Sequence, residues 1–119
     1  MRTESDAHLG TMVCYHRRHM LGDAHGFVSM ADAARAERLR EVDGEVALVL
    51  PLYLYDHSEL TMATKPFSCP FDSGKVGFIY ATYNAIRKAY GKQRLSKKLI
   101  ERARECLVDE VAQYNAELR

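Results

Sequence analysis

The chain has 119 residues, 47% apolar and 28% charged, a balance that suits one globular domain and excludes a disordered, collagen-like or disulfide-built chain. Its formal charge of +1 supplies no overall field for DNA or acidic lipid. Three widely spaced cysteines, Cys14, Cys69 and Cys106, fit thiols of a reducing compartment better than a disulfide framework.

The polar start MRTESDAHLG does not read as a signal peptide. No apolar run reaches the length of a membrane helix, so no membrane contact is expected and the cytoplasm is the expected location. One domain is expected over residues 1–119, with residues 1–8 as a frayed terminus.

Leu9 to His16 (LGTMVCYH) reads as a first strand, and the glycine-punctuated Arg17 to Gly26 as a loop. Ser29 and Asp32 fit the start of a helix. The run AARAERLREV is rich in helix formers, and Asp43-Gly44 ends it. Val46 to Tyr55 is apolar at every position, which predicts a central strand covered on both faces. Pro51 lacks a ladder donor, so a bulge or a locally unpaired edge is expected there.

Asp56-His57-Ser58-Glu59 reads as a turn and Leu60 to Ala63 as a short strand. Pro66 and Pro70 bracket Phe67-Ser68-Cys69 and favor extended backbone before each proline. Asp72-Ser73-Gly74 reads as another turn, and Val76 to Ala81 as a second buried strand. Thr82 is expected to cap a helix from Tyr83 to Tyr90, closed by Gly91. Ser96 caps a longer helix to about Leu118, whose apolar face is Leu99, Ile100, Ala103, Cys106, Leu107, Val111, Tyr114 and Leu118. The elements add up to an α+β fold: a small mixed β-sheet of three to four strands with helices packed on it, two of them C-terminal. If the first strand and the Val46 strand are parallel neighbors, the helix between them crosses over right-handedly.

The stretches LGTMVCYHRR, LPLYLYDHSELTM and PFSCPFDSGKVGFIY resemble an uncharacterized protein family of bacteriophages, prophages and other mobile elements. The resemblance runs from Leu9 to about Asn115, and PFSCPFDSGKVGFIY is its most specific part. This chain has Phe71 where family members usually have tryptophan, and Glu59 where glycine is common. Many relatives continue past the long helix into an aromatic, glycine-containing tail, so an activity depending on such a tail is not expected here. The resemblance implies a mobile-element context and brings no catalytic residues with it.

Four constellations are candidates for function. Cys14, His16, Asp56, His57 and Cys69, with Asp72 and Ser73 beside them, hold the parts of a nucleophile–base pair with an orienting carboxylate, as in a small Cys/His-dependent hydrolase. No nucleophile elbow, phosphate loop or zinc-protease motif accompanies them, and Asp56 and Asp72 also suit turns. Cys14 and His16, with His19, His25 and His57, are the candidate metal ligands, at a spacing without a CxxC, so no metal or cofactor is expected.

Arg87, Lys88, Lys92, Arg94, Lys97, Lys98, Arg102 and Arg104 form a basic segment against the single acid Glu101. It suits phosphate or an acidic protein partner, with Arg17 and Arg18 as further contributors. Tyr53, Tyr55, Phe67, Phe71, Phe78 and Tyr80 suit either a core or a stacking surface. The leading expectation is a non-enzymatic phage or mobile-element protein that binds and inhibits a host defense protein or nuclease complex. It would be an anti-CRISPR-like counter-defense inhibitor acting through the basic segment. Nucleic-acid binding through that segment is the other binding reading.

Overall fold

The structure, a computed structural model, describes residues 8–14, 30–57, 59–65 and 73–117, with backbone alone at 30–33, 56, 57, 59, 60, 73 and 117. Its elements are β1 (Thr11–Cys14), α1 (Met30–Val42), β2 (Val46–His57), β3 (Glu59–Ala63), β4 (Ser73–Thr82), α2 (Tyr83–Tyr90) and α3 (Lys97–Glu117). The strands form one four-stranded sheet in the order β1-β4-β2-β3. The α+β class and the two C-terminal helices are as read from the sequence.

Every ladder is antiparallel rather than mixed. β1 and β2 do run parallel to each other, but β4 lies between them, so α1 crosses between strands that are not neighbors. β4, later in sequence than the other three, thus lies in the gap between the two strands that the crossover joins. Of the expected first strand, Thr11–Cys14 is paired, and Tyr15 and His16 lie outside the described residues. So do residues 1–7, Arg17 to Gly26, Ser29 and the Pro66–Pro70 bracket.

Two expected turns are strand instead. β2 continues through Asp56 and His57, and its hairpin with β3 closes at His57↔Glu59. Ser73 and Gly74 belong to β4 and pair with Tyr55 and Leu54. Polar composition suggested turns, but the ladders extend to the tightest point at which the hairpin closes. Pro51 pairs with Phe78 without a bulge. β3 begins to pair with β2 only at Tyr53, so Pro51 lies where the second edge of β2 carries no described strand. The ladder shifts flank it, with Ala47 as an extra residue in β2 and Val76 as one in β4.

The sheet is covered on both sides, unequally. On one side Leu48, Leu50, Leu52 and Leu54 of β2 join Met12, Ile79 and Ala81 beneath Ile86, Ala103, Leu107, Val111 and Tyr114 of α2 and α3. Met12, Leu52, Ile79, Ile86 and Leu107 are fully buried, each adding roughly 1.5–3 kcal/mol of apolar burial. On the other side α1 seats Ala36 against Val13 and Phe78, with Val49 and Tyr80 half-buried beside them. This thinner contact is reinforced by charge. Lys75 Nζ meets both oxygens of buried Glu37, at 2.7 and 2.8 Å. The Arg40 guanidinium lies 4.7 Å from the Tyr80 ring center, a stacking worth about 0.5–2 kcal/mol.

Both C-terminal helices begin at the caps read from the sequence, and α2 also ends at its own. Thr82 Oγ1 accepts the Ala85 N–H at 3.0 Å, and Gly91 closes α2 at φ 64°, a left-handed conformation that favors glycine. Ser96 Oγ accepts the Leu99 N–H at 3.2 Å to start α3.

β1 reaches β4 only because Gly77 has no side chain. A Cβ there would stand 1.8 Å from the Val13 carbonyl oxygen. At Gly74, four positions from Phe78 on the same strand, a Cβ meets nothing within 4 Å. Gly77→Ala is therefore expected to cost about 3 kcal/mol in urea unfolding, the upper end of ordinary overpacking, and Gly74→Ala far less. Equal losses in the two variants would show that close approach at Gly77 does not position β1.

Candidate functional site

The basic residues occupy the end of α2, the connection 91–96 and the first turns of α3. Ile86 anchors α2 to the sheet, and Ala103 and Leu107 anchor α3, all three fully buried. This anchoring turns the opposite faces outward. Arg87, Lys88, Lys92, Arg94, Lys97, Lys98, Arg102 and Arg104 are all exposed.

Arg87 has a local task. Its Nε donates to the Gln93 carbonyl at 3.1 Å and its Nη1 to Asn84 Oδ1 at 3.0 Å, and its guanidinium lies 5.8 Å from the Tyr83 ring center. It thereby braces the connection between α2 and α3. Arg104 Nε stands 3.7 Å from Glu101 Oε1, a loose and exposed pair. Among the described residues Lys88, Lys92, Arg94, Lys97, Lys98 and Arg102 have no carboxylate within ion-pairing distance. No acid occupies the first turn of α3, where Lys97 and Lys98 oppose the helix dipole. The repulsion among these cations is screened over about 8 Å at physiological salt, and Glu101 is the one acid within the segment to offset it.

Among the described residues, Cys14 and Asp56, both nominated as catalytic, are not brought together. Cys14 is 3% exposed and packs in the apolar core as a small hydrophobic residue. It pairs with Gly77, which in turn pairs with Leu52 of β2. Asp56 and His57 lie four and five residues farther along β2. At about 4.8 Å per strand and 3.4 Å per residue, the Cys14 and Asp56 backbones are about 17 Å apart. A thiol and an adjacent acid–base pair do not span that distance. His16, His19, His25, Cys69 and Asp72 lie outside the described residues, as do Arg17, Arg18, Phe67 and Phe71. Ser73 is placed by its backbone in β4. Among the described residues no three His, Cys, Asp or Glu side chains converge to hold a metal. A shallow cleft of about 250 Å³ lies between Gly44, Glu45, Thr82, Tyr83, Asn84 and Arg87, and none of the nominated catalytic residues lines it.

Sequence reading missed two buried acids, Glu37 and Glu110. Glu110 is 7% exposed on the inner face of α3. Its carboxylate accepts the Leu9 N–H at 2.8 Å and the Gly10 N–H at 3.1 Å, and Cys106 Sγ lies 3.5 Å from it. The available signal was its position three residues after Leu107 and four before Tyr114, within the apolar stripe.

Burial first, and then the Glu110 carboxylate beside it, push the Cys106 thiol up to about 11. Burial likewise raises the Tyr90 phenol, with Cys106 and Glu105 adding to the effect and Arg102 opposing it. Cys106 is thus a protonated thiol at neutral pH rather than a nucleophile.

Comparison with family models, curated proteins and solved structures found no match. No helix among the described residues is long and apolar enough to cross a membrane.

The raised Cys106 value sets a pH window. The folded thiol keeps its proton to about pH 11, whereas the ordinary value is 9.0. Its contribution to stability is therefore complete below pH 9 and is lost as the pH rises toward 11. At pH 8 peptide-resolved alkylation with iodoacetamide is expected to label Cys106 on the order of 100-fold more slowly in folded than in urea-unfolded chain. Glu110→Gln is expected to raise the folded rate. An unchanged rate in that variant would mean that burial alone retains the proton.

Proposed function

We propose that this chain is a non-enzymatic binding protein of a mobile element whose working surface is the basic α2–α3 junction. Its partner is an acidic surface of a host defense protein or nuclease complex, which it inhibits by occupancy in the bacterial cytoplasm. The observation that carries this reading is the set of six exposed cations that form no ion pair among the described residues, carried by two well-anchored helices and the connection between them. The mobile-element resemblance of the Leu50–Thr82 region supplies the biological setting. Burial of Cys14 and protonation of Cys106 agree with a role that needs no thiolate.

The same exposed cations also favor a second reading, binding to nucleic-acid phosphates. That reading requires affinity to fall steeply with salt and to appear with DNA or RNA alone at low salt.

The test combines affinity capture from host cells with a survival assay for a phage or plasmid challenged by the defense system. The wild-type chain is expected to recover a defense component and raise survival. The variant Lys92→Glu, Arg94→Glu, Lys97→Glu, Lys98→Glu is expected to lose at least tenfold in both, with its melting temperature little changed because these side chains are exposed. Full protection by the variant would remove the basic surface from the mechanism. Failure of the wild type to bind or protect would sink the inhibitor role.

A further inference from the structure

On α1 the common placement of residue types is reversed. Ala36, Glu37 and Arg40 face the sheet, while Leu39 and Val42 are 61% and 83% exposed. Leu39 and Val42 are three residues apart and share one helix face. A single exposed aliphatic residue is ordinary. Two on one face, opposite a charged inner face, make a contact surface.

The charges around the pair are ordered along the chain. Arg35 and Arg38 precede it, and Glu41, Asp43 and Glu45 accompany or follow it, all exposed. Arg35, Arg38 and Glu41 form no ion pair among the described residues, although Arg38 and Glu41 are only three apart. Cations, then apolar residues, then anions form a self-complementary order. Turned end for end about a twofold axis, the cations of one copy meet the anions of the other, and the apolar residues meet at the axis.

We propose that α1 is a self-association face. Two copies pack α1 against α1 antiparallel, with Leu39 and Val42 at the center and Arg38 of each copy opposite Glu41 of the other. One pair of short helices covers less than the roughly 1,200–2,000 Å² of a stable interface, so the dimer is weak, with Kd on the order of tens of micromolar. α1 lies on the side of the sheet opposite α2 and α3, so this pairing leaves both basic surfaces uncovered. The proposal is independent of what those surfaces bind.

Sedimentation of the full chain between about 5 and 500 µM tests it, a range chosen to bracket that Kd. The average mass is expected to rise with concentration from 13.5 kDa toward twice that value. Val42→Asp is expected to hold the chain monomeric throughout. Arg38→Glu is expected to weaken association at least tenfold, and Arg38→Glu combined with Glu41→Arg to restore it, because both charges then exchange places across the axis. Arg38, Glu41 and Val42 are all exposed, and circular dichroism confirms that each variant folds. A monomer over the whole range overturns the proposal. So does a dimer insensitive to Val42→Asp, or one that responds instead to Lys97→Glu and Lys98→Glu. Failure of the double reversal to restore association overturns it as well.

Discussion

The fold is organized about β4, and β4 can be central only because the Val13 carbonyl of β1 occupies the space beside Gly77. That contact decides which strand takes the middle position. With β1 on one side and β2 on the other, the alternating residues of β4 supply both layers at once. Phe78 faces α1, and Ile79 faces α2 and α3. A side chain at Gly77 would push β1 outward and remove Met12 and Cys14 from the core they complete.

The two layers differ in how they are held. Under α2 and α3 the contact is broad and apolar, and its strength comes from removing leucine, isoleucine and methionine surface from water. Under α1 it is narrow, and buried Glu37 needs the Lys75 ammonium to offset its lost hydration. The candidate binding surface stands on the stronger layer. Its cations project from helices whose inner residues are fully buried, so their mutual repulsion bears on a well-fixed scaffold. Arg87 adds to this by tying the α2–α3 connection to α2 itself.

Much of this was readable in the sequence wherever the determining signal is local. The caps of α2, Thr82 and Gly91, and the three-and-four spacing of Ala103, Leu107, Val111 and Tyr114 each specify their own geometry. The apolar runs of β2 and β4 likewise announce buried strands. Strand order was not readable, because an apolar run reports burial and not which neighbor provides it. The ends of β2 and β4 were misread for a related reason. Asp56, His57, Ser73 and Gly74 have turn-like composition, and only the partner strand makes them ladder positions. Glu110 was hidden because its partners are two amides about a hundred residues earlier. The basic surface was readable as a charge run, but which six of its cations form no ion pair among the described residues emerged only from the packing. Cys14 looked reactive because His16 lies two residues away in sequence, while its neighbors in space are leucines and methionines.

The Glu110 contact with Leu9 and Gly10 also bears on the order of events as the chain is made. β1 is made before its partners: its neighbor β4 follows more than sixty residues later, and the carboxylate that receives the amides just before it follows about a hundred residues later. Contacts this distant in sequence must wait for loop closure and slow folding. Until α3 emerges, β1 has an apolar flank without a place to bury it. The closing step of assembly is therefore the arrival of α3, which completes the core and secures the residues leading into β1 together.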